Sequence, residues 1–321
     1  MRIAVTGSIA TDHLMSYSGR FADQLLPDQL ANVSLSFLVE DLDIRRGGVA
    51  ANICFGMGVL GLRPLLVGSV GRDFDDYRSW LERHGVETHY VRVSELKHTA
   101  RFLCTTDTDQ NQIASFYPGA MSEAREIELG PLGPLDLVVV SPNDPQAMLR
   151  HTRECRDRGV PFVADPSQQL SSLDGEQVRE LVEGAELLLT NEYEAALTEK
   201  KTGWSPDELL QKVGVRVTTQ GAKGAVVERR GEMPIHVPVP PEERKADPTG
   251  VGDAFRAGFL SARSWGLGYE RCAQVGSLLA TYCLETVGTQ EYDVTPPAFL
   301  QRMAKAYGDD AAAEVGAHLG V

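Results

Sequence analysis

The segment Asp247–Phe255 reads DPTGVGDAF and places two glycines between two carboxylates. Pro248 ends any preceding element and the residues that follow have a helical pattern, so Gly250 and Gly252 are expected at a helix N-terminus. Unpaired amides and the positive end of the helix dipole favour a phosphate there. Asp253 would lie beside that anion, which predicts an anion hole with Asp253 as general base. A carboxylate that only stabilises the helix dipole explains this segment equally well on local chemistry.

A second glycine pair, in Arg46–Asn52 (RGGVAAN), also opens a predicted helix. Asn52 offers both a donor and an acceptor to a sugar hydroxyl. Ser8 and Asp12 follow Gly7 near the end of the first predicted strand, and ligands of open α/β sheets bind beyond the carboxyl ends of the strands. These residues predict a polyol site, although close helix packing alone would also account for the glycines.

Asn191 and Glu194 are three residues apart and follow a predicted strand, so they would share one face if a helix begins there. Their oxygens suit Mg²⁺ bound through water. The same spacing is that of a capping box, and the sequence leaves both interpretations open.

The segment Thr218–Gly224 (TTQGAKG) lies between two predicted strands. Gly221 and Gly224 would let the backbone lie against a nucleotide. On its own this spacing indicates little more than a turn.

Short apolar runs alternate with amphipathic segments, which predicts an α/β fold with a mostly parallel sheet and helices outside it. The predicted strands are Arg2–Ile9, Pro64–Val70, Leu135–Ser141, Pro161–Asp165, Glu186–Thr190, Val215–Thr219 and Ala225–Arg229. The predicted helices are Gly48–Gly61, Asp73–His84, Gln146–Arg158, Gly250–Trp265, Glu270–Thr286 and Ala311–Leu319. Pro234–Pro248 is expected to be a loop or an edge of the sheet.

Three segments alternate without a following helix, namely Val33–Ile44, Thr99–Thr106 and Gln112–Tyr117. Such alternation is typical of half-exposed antiparallel strands. We expect a small sheet that projects from one domain spanning residues 1–321, with lid segments at about 12–45 and 98–120. The sheet would be a lid, a dimer surface or a β-excursion without a role.

The 321 residues carry 31 basic and 45 acidic side chains, a net charge of −14. This balance argues against nucleic acid and anionic membranes as partners. The five cysteines show no CxxC spacing, as expected for reduced thiols in the cytoplasm. The N-terminal apolar run is too short for a signal peptide, and no stretch is long enough to span a membrane.

In their order along the chain, these motifs resemble those of the ribokinase-like (PfkB) family of carbohydrate and nucleoside kinases. Gly47–Asn52 resembles the amino-proximal signature of the family, and Asp247–Asp253 resembles the carboxy-proximal one. The N-x-x-E and T-x-G-x-x-G elements lie between them in the expected order. Val251 and Arg256 depart from the usual residues, and Arg256 would alter the charge near the phosphates.

Within the family, the chain looks most like the actinobacterial adenosine kinases, on the strength of Gly7–Met15, Ser34–Val39, Ala114–Ser122 and Asp165–Leu170. This resemblance implies a three-layer α/β/α core with a β-sheet lid, and a homodimer built through the lids. It implies a ribose site at Ser8, Asp12, Ser36, Gly48 and Asn52. It implies adenine held between two aromatic rings near two amides, Phe102, Phe116, Gln168 and Gln169. An aromatic sandwich suits a flat base better than a bare sugar, although both rings could instead be lid core.

The expected function is ATP-dependent phosphorylation of the adenosine 5′-hydroxyl to give AMP and ADP, a step of purine salvage. Asp253 would be the base, with Gly250 and Gly252 in the anion hole. ATP is expected at Asn191, Thr219, Gly221, Lys223, Gly224 and Gly252. Mg²⁺ is expected at Asn191 and Glu194 through water, and the resemblance suggests K⁺ near Asp247 and Thr249.

Two other functions share most of these residues. A sugar kinase of the same fold would use Asp12, Asn52 and Asp253, but would leave the aromatic pair and the glutamines without a partner. A non-catalytic nucleotide sensor would not need Asp253 and both glycines. A dinucleotide-binding dehydrogenase is disfavoured because no GxGxxG follows the first strand.

Overall fold

We describe the protein from a computed structural model, which covers residues 1–25 and 35–320. Its strands are β1 (Ile3–Thr6), β2 (Ala10–Ser16), β3 (Asp41–Gly47), β4 (Leu65–Val67), β5 (Ser69–Val70), β6 (Arg92–Val93), β7 (Ala100–Thr106), β8 (Gln112–Tyr117), β9 (Leu137–Val140), β10 (Phe162–Ala164), β11 (Leu187–Asn191), β12 (Val215–Thr219), β13 (Ala225–Glu228) and β14 (Ile235–Val237).

The α-helices are α1 (Phe21–Gln24), α2 (Val49–Val59), α3 (Asp75–Arg83), α4 (Pro145–Asp157), α5 (Gly175–Val182), α6 (Glu192–Thr202), α7 (Pro206–Lys212), α8 (Val251–Ser264), α9 (Tyr269–Leu284), α10 (Pro296–Tyr307) and α11 (Asp309–Leu319). Of the described residues, no helix has the length and apolar character needed to cross a membrane.

The main sheet has eight strands in the order β14-β13-β12-β11-β10-β9-β1-β4. All pairs from β4 to β12 are parallel, and β13 and β14 are added antiparallel at one edge. Alternate residues of the central strands enter two different apolar clusters, so Val139 packs on one face and Val138 and Val140 on the other. Burial on both faces explains why these strands read as continuous apolar runs. The core therefore has the expected three-layer α/β/α architecture of the ribokinase-like fold.

A second sheet has four strands in the order β3-β2-β7-β8 and forms the lid. Its central pair, β2 and β7, is parallel, and the two outer pairs are antiparallel. The lid joins the core at its base, where Ala10, Ala100 and Met121 form a small buried cluster. A small projecting sheet was predicted, and the structure contains one.

The first strands of the chain, including those of the lid, differ from the predicted ones. We predicted one strand over Arg2–Ile9, but β1 ends at Thr6 and β2 begins at Ala10, with the buried Ile9 between them. Of the predicted strand Val33–Ile44, only the part from Asp41 is extended in the sheet, and it continues to Gly47. Phe37 packs against the rings of Tyr17 and Phe21, each with centroids 5.0 Å apart, so this stretch follows an aromatic cluster rather than a ladder. Val33 and Ser34 lie outside the described residues.

In the core, the predicted strand Pro64–Val70 divides into β4 and β5 at Gly68. A Cβ at this glycine would lie 2.8 Å from the Gly7 carbonyl oxygen, so the two strands separate where the backbones approach closely. The first turn of the predicted helix Asp73–His84 is a 3-10 turn, Arg72–Phe74, before α3. Helices α1, α5, α7 and α10 were not predicted, and α6 was considered only as the condition for Asn191 and Glu194 to share one face.

Candidate functional site

The N-terminus of α8 is built on a glycine that no other residue could easily replace. Gly250 has φ +78°, and a Cβ there would lie 2.9 Å from the Cβ of Thr289. The turn therefore needs both the left-handed backbone and the missing side chain. At the start of α8, the amide of Val251 donates to the Pro248 carbonyl oxygen at 3.4 Å and that of Ala254 to the Gly250 carbonyl oxygen at 2.9 Å. The amides of Gly252 and Asp253 lie between these two and could bind an anion, so the anion hole stays a prediction.

Asp253 lies in that first turn and is partly buried. Its Oδ2 accepts a hydrogen bond of 2.8 Å from Nδ2 of Asn52. Burial raises the pKa of Asp253 to about 6, with Arg256 and the Asn52 hydrogen bond lowering it and Glu194 raising it further. A carboxylate with this pKa is mostly ionised at neutral pH and well suited to take a proton from a hydroxyl.

A chain of buried hydrogen bonds fixes the orientation of the Asn52 amide. Tyr77 donates to the carbonyl oxygen of Gly47 at 2.9 Å, so its oxygen can only accept from Nε2 of Gln290, 2.6 Å away. The same Nε2 donates to Oδ1 of Asn52 at 2.8 Å. The Asn52 Nδ2 must therefore face Asp253.

Asn52 was predicted to bind a sugar hydroxyl, and its Nδ2 carries a second hydrogen that these bonds do not use. That role stays a prediction. The hydroxyl of Thr289 also lies 3.0 Å from Oδ1 of Asn52 and 2.9 Å from the Arg46 carbonyl oxygen. Sequence reasoning missed Thr289 and Gln290, which carry no motif of their own.

Ser8 and Gly48 lie at the start of α2. Gly48 has φ +96°, and a Cβ there would lie 2.6 Å from the Ser8 carbonyl oxygen. The hydroxyl of Ser8 accepts a hydrogen bond from the amide of Val49 at 3.0 Å. The two predicted ribose residues are thus brought together at the junction of lid and core.

Four residues form one row across the lid. Asp12 pairs with Arg45 on one side and with Phe102 on the other, and Phe102 pairs with Phe116. Directly opposed residues project from the same face of a sheet, so the predicted ribose carboxylate and both predicted base-binding rings share one face. Burial raises the pKa of Asp12 to about 6, with Arg45 opposing and Asp247 adding to the rise.

A cavity of about 500 Å³ lies beside the N-terminus of α8. It is lined by five of the six residues predicted to bind ATP, Asn191, Thr219, Gly221, Gly224 and Gly252. Lys223, the sixth, is not part of the lining, and its Nζ lies 3.3 Å from Glu192. The rest of the wall comes from residues that the sequence did not mark, Ala222, Val239, Glu242, Lys245, Pro248, Val251, Phe255, Ser277, Ala280, Thr281 and Leu284.

Asn191 and Glu194 form the capping box of α6, with both reciprocal hydrogen bonds at 2.8 Å. The capping alternative is therefore realised. The Glu194 carboxylate also lies 3.2 Å from the hydroxyl oxygen of Ser167 and 3.7 Å from Arg256. Within residues 1–25 and 35–320, no cluster of three or more His, Cys, Asp or Glu residues is arranged to hold a metal. A single carboxylate beside a nucleotide cavity fits Mg²⁺ held mainly by phosphate oxygens and water.

Asp247 ties the turn before α8 to its neighbours. Its oxygens accept hydrogen bonds from the amides of Thr249 at 2.9 Å and Gly288 at 3.1 Å, and Nη1 of Arg45 lies 3.6 Å away. These contacts keep the pKa of Asp247 below its usual value despite the opposing effect of burial. A monovalent cation near Asp247 and Thr249 stays a prediction.

The remaining predicted residues lie apart from this centre. Ser36 is exposed in the irregular stretch before β3. Gln168 and Gln169 lie in a 3-10 turn after β10, on the core rather than the lid. Both polar groups of the Gln169 amide are engaged, with Nε2 donating to the Asn143 carbonyl oxygen at 2.6 Å and Oε1 accepting from Ser172 at 2.5 Å. Gln168 is exposed, and Ser167 donates to its Oε1 at 2.8 Å.

Comparison with known proteins gives three findings. The family described as pfkB family carbohydrate kinase matches residues 6–296. A nucleoside kinase of Methanocaldococcus jannaschii is 30% identical over 261 residues, which are 81% of this chain and 85% of that protein. The structure of Burkholderia thailandensis nucleoside kinase in complex with inosine has a TM-score of 0.85 and 34% identity, covering 95% of this chain and 99% of that one.

Proposed function

The chain belongs to the PfkB family of carbohydrate kinases, and from this premise we propose that it is an ATP-dependent nucleoside kinase acting on the 5′-hydroxyl of adenosine. The products would be AMP and ADP, as in purine salvage. One observation carries the proposal: Asp253, at the helix N-terminus, lies between the nucleotide cavity that Gly252 lines and the Asn52 side of the lid junction. A phosphoryl donor and a hydroxyl acceptor would meet at that carboxylate.

Two further observations support a nucleoside rather than a free sugar. The row from Asp12 to Phe116 joins a carboxylate, which suits ribose hydroxyls, to two rings that suit a flat base. The most similar solved structures include a nucleoside kinase in complex with inosine and with ADP-inosine. Inosine is therefore the second candidate substrate, since a purine is common to both.

The residues of the chain divide the reaction between them. Asp12 orients the ribose, and Asp253 takes the proton of the hydroxyl as its oxygen attacks the γ-phosphorus. The amides of Gly250–Asp253 stabilise the charge that develops on the phosphoryl oxygens. Mg²⁺, when bound near Glu194, would neutralise charge on the donor phosphates. The lid excludes water from the acceptor.

A panel of acceptors with Mg-ATP tests this proposal. Adenosine, inosine, cytidine and ribose are each incubated with the protein, and ADP release is measured. We expect the purine nucleosides to have the highest kcat/KM. Faster turnover of ribose than of adenosine would contradict a nucleoside kinase. Faster turnover of inosine than of adenosine would make inosine the substrate, and the enzyme would still be a nucleoside kinase. Replacing K⁺ by choline in the same assay tests the monovalent cation.

We also propose a homodimer through the lids. The lid face opposite Asp12 carries four apolar residues that are 41–55% exposed, Leu42, Ile44, Ile113 and Tyr117. A second copy would bury them. We expect a sedimentation mass near twice 35.0 kDa and, for Ile44→Asp, near 35.0 kDa. Leu96→Asp, at a residue 92% exposed outside the lid, is the control that should stay a dimer. A monomeric unsubstituted protein would contradict the proposal.

The five cysteines are buried free thiols, which is consistent with the cytoplasm as the proposed location.

A further inference from the structure

Arg256 lies one helical turn after Asp253, and its side chain is only 9% exposed. Its Nη2 lies 2.7 Å from Oδ1 of Asp165, which is fully buried after β10. The same nitrogen lies 3.7 Å from Oε2 of Glu194 at the start of α6. One guanidinium thus joins three elements at the carboxyl ends of the central strands.

The other side of the guanidinium lies beside the first turn of α8, where the anion hole is predicted. A Cβ built on Gly252 would lie 2.9 Å from Nη1 of Arg256, so this nitrogen lies directly against the backbone of the first helical turn. Gly252 has no positive φ, so the feature that favours glycine here is the space beside it that the Arg256 guanidinium occupies. Nε of Arg256 is also buried and has no hydrogen-bond partner among the described residues. The protein leaves much of this fork of five N–H donors unused.

Stability alone does not explain this arrangement. Taking an ion pair out of water costs several kcal/mol per ion, and well-packed apolar residues often serve the fold as well or better. A cation between Asp165, Glu194 and Asp253 does, however, offset the repulsion of three carboxylates around a site that must accept polyphosphate. The position is thus one where a fixed positive charge favours an incoming anion.

We propose that Arg256 is a further catalytic residue, which donates from Nη1 to the oxygens of the γ-phosphoryl group during its transfer. This inference rests on the proposed kinase function. Asp165 is a positioning residue, which holds Nη2 so that Nη1 stays beside Gly252. The guanidinium neither gains nor loses a proton in the reaction.

The step balances without any further reactant. The hydroxyl oxygen bonds to the γ-phosphorus as Asp253 takes its proton. The bond from the γ-phosphorus to the β–γ bridging oxygen breaks, and its electron pair leaves with ADP. Arg256 offsets the negative charge that the three phosphoryl oxygens share in the transition state.

The test compares a charge-neutral double variant with a conservative one. Arg256→Gln alone would leave Asp165 buried without its cation, so it is combined with Asp165→Asn. The double variant keeps the shape of Asp165, shortens Arg256 and removes both charges. Arg256→Lys keeps the charge but has no second nitrogen to hold Asp165 while reaching the phosphoryl group. Arg216→Gln with Glu199→Gln is the matched control, because it removes an ion pair of similar length, 2.9 Å, between the buried Arg216 of β12 and the partly exposed Glu199 of α6.

We expect kcat of the double variant to fall by about 10²–10³-fold and that of Arg256→Lys by about tenfold, with the nucleoside KM changed by less than about threefold. The control should keep its kcat. If the double variant does not fold, the kcat of Arg256→Lys alone tests the proposal. A kcat within about threefold of the unsubstituted protein, in either folded variant, would show that Arg256 is only a counterion and overturn the proposal.

A binding measurement separates this inference from the proposed function. Calorimetry with ADP and with a nonhydrolysable ATP analogue reports the γ-phosphoryl contact without turnover. We expect the double variant to lose about tenfold in affinity for the analogue and little for ADP. Equal losses for both nucleotides would overturn the γ-phosphoryl contact. If the unsubstituted protein phosphorylates none of the acceptors, the proposed function fails, while this difference still tests the position of Arg256.

Discussion

The catalytic end of the site and the lid hold their side chains in different ways. Asp253 is fixed through Asn52 by Gln290, which is 1% exposed, and the chain of hydrogen bonds continues to Tyr77 inside the core. Every residue of β8 is exposed, and Phe116 is 51% exposed. Several side-chain hydrogen bonds thus hold Asp253 in place. Phe116, which is proposed to bind the base, is held by the backbone hydrogen bonds of its strand. On the proposed function, the groups that react lie in the core and the rings that bind the base lie on the lid.

The largest effect is expected at the core end. Asp253→Asn should lower kcat by about 10²–10⁴-fold and leave nucleoside binding in place, because the amide fits the same space but cannot take the proton. Steady-state kinetics and nucleoside calorimetry measure the two effects. Asp309→Asn, an exposed carboxylate in the first turn of α11, is the control that should change neither. More than about a tenth of the original kcat in Asp253→Asn would show that another group accepts the proton.

At the lid, a substitution of a proposed base-binding ring should change the KM of the nucleoside. Phe116→Ala removes a stacking surface worth about 1–3 kcal/mol and should raise the adenosine KM by about one to two decades. Any weak phosphorylation of ribose should stay unchanged, because ribose has no base. Ile113→Ala, on the opposite face of the same strand, is the control for loss of lid packing. Equal losses on adenosine and ribose would mean that Phe116 belongs only to the structure of the lid.

A pH profile compares one carboxylate from each region. Burial raises the pKa of both Asp253 and Asp12 to about 6. Asp253 must be ionised to take a proton, and Asp12 to accept hydrogen bonds, so kcat/KM should fall as pH drops below about 6. The logarithmic slope should approach about two, and Asp12→Asn should reduce it to about one. A slope near one in both the unsubstituted protein and Asp12→Asn would mean that only the protonation of Asp253 lowers kcat/KM.

A smaller effect is expected from a substitution in the buried hydrogen-bond network that does not contact Asp253 directly. Gln290→Met keeps the length of the side chain but removes the donor that orients Asn52. The loss of one hydrogen bond of about 1 kcal/mol should lower kcat about fivefold. Tyr77→Phe, one step further along the network, should lower it less. A lower melting temperature with unchanged kcat would show that this network serves packing and does not position Asp253.

Secondary structure could be predicted where the signal is local. β8 and β12 have the predicted bounds, Gln112–Tyr117 and Val215–Thr219, because alternation and β-branched runs mark them. β2 was missed because its residues, ATDHLMS, are mostly half-buried and show no clear period. The spacing of Asn191 and Glu194 allowed either a cap or a metal ligand, and only the fold shows that a capping carboxylate also lies near Arg256.

The site residues that belong to short sequence motifs could be predicted. The glycines and Asp253 stand in one short segment, so their chemistry is readable from their order. Gln290 and Asn52 are 238 positions apart, and no pattern in either segment indicates that they meet. Arg256 was noticed as a departure from the family signature, but its burial against Asp165 depends on the register of a strand and a helix 91 positions apart.

The junction between lid and core has a mechanical consequence. Ala10, Gly47 and Ala100 form the base row of the lid, where Gly48 packs against the Ser8 carbonyl, while Ser16 and Asp41 stand six residue steps above it. At about 3.3 Å per residue, the row of Asp12, Phe102 and Phe116 is about 7 Å from this axis and the tip about 20 Å. A rotation of about 10° would displace the tip by about 3.5 Å but the row by only about 1 Å. A rotation about this base row would therefore move the tip of the lid about three times as far as the row of Asp12, Phe102 and Phe116.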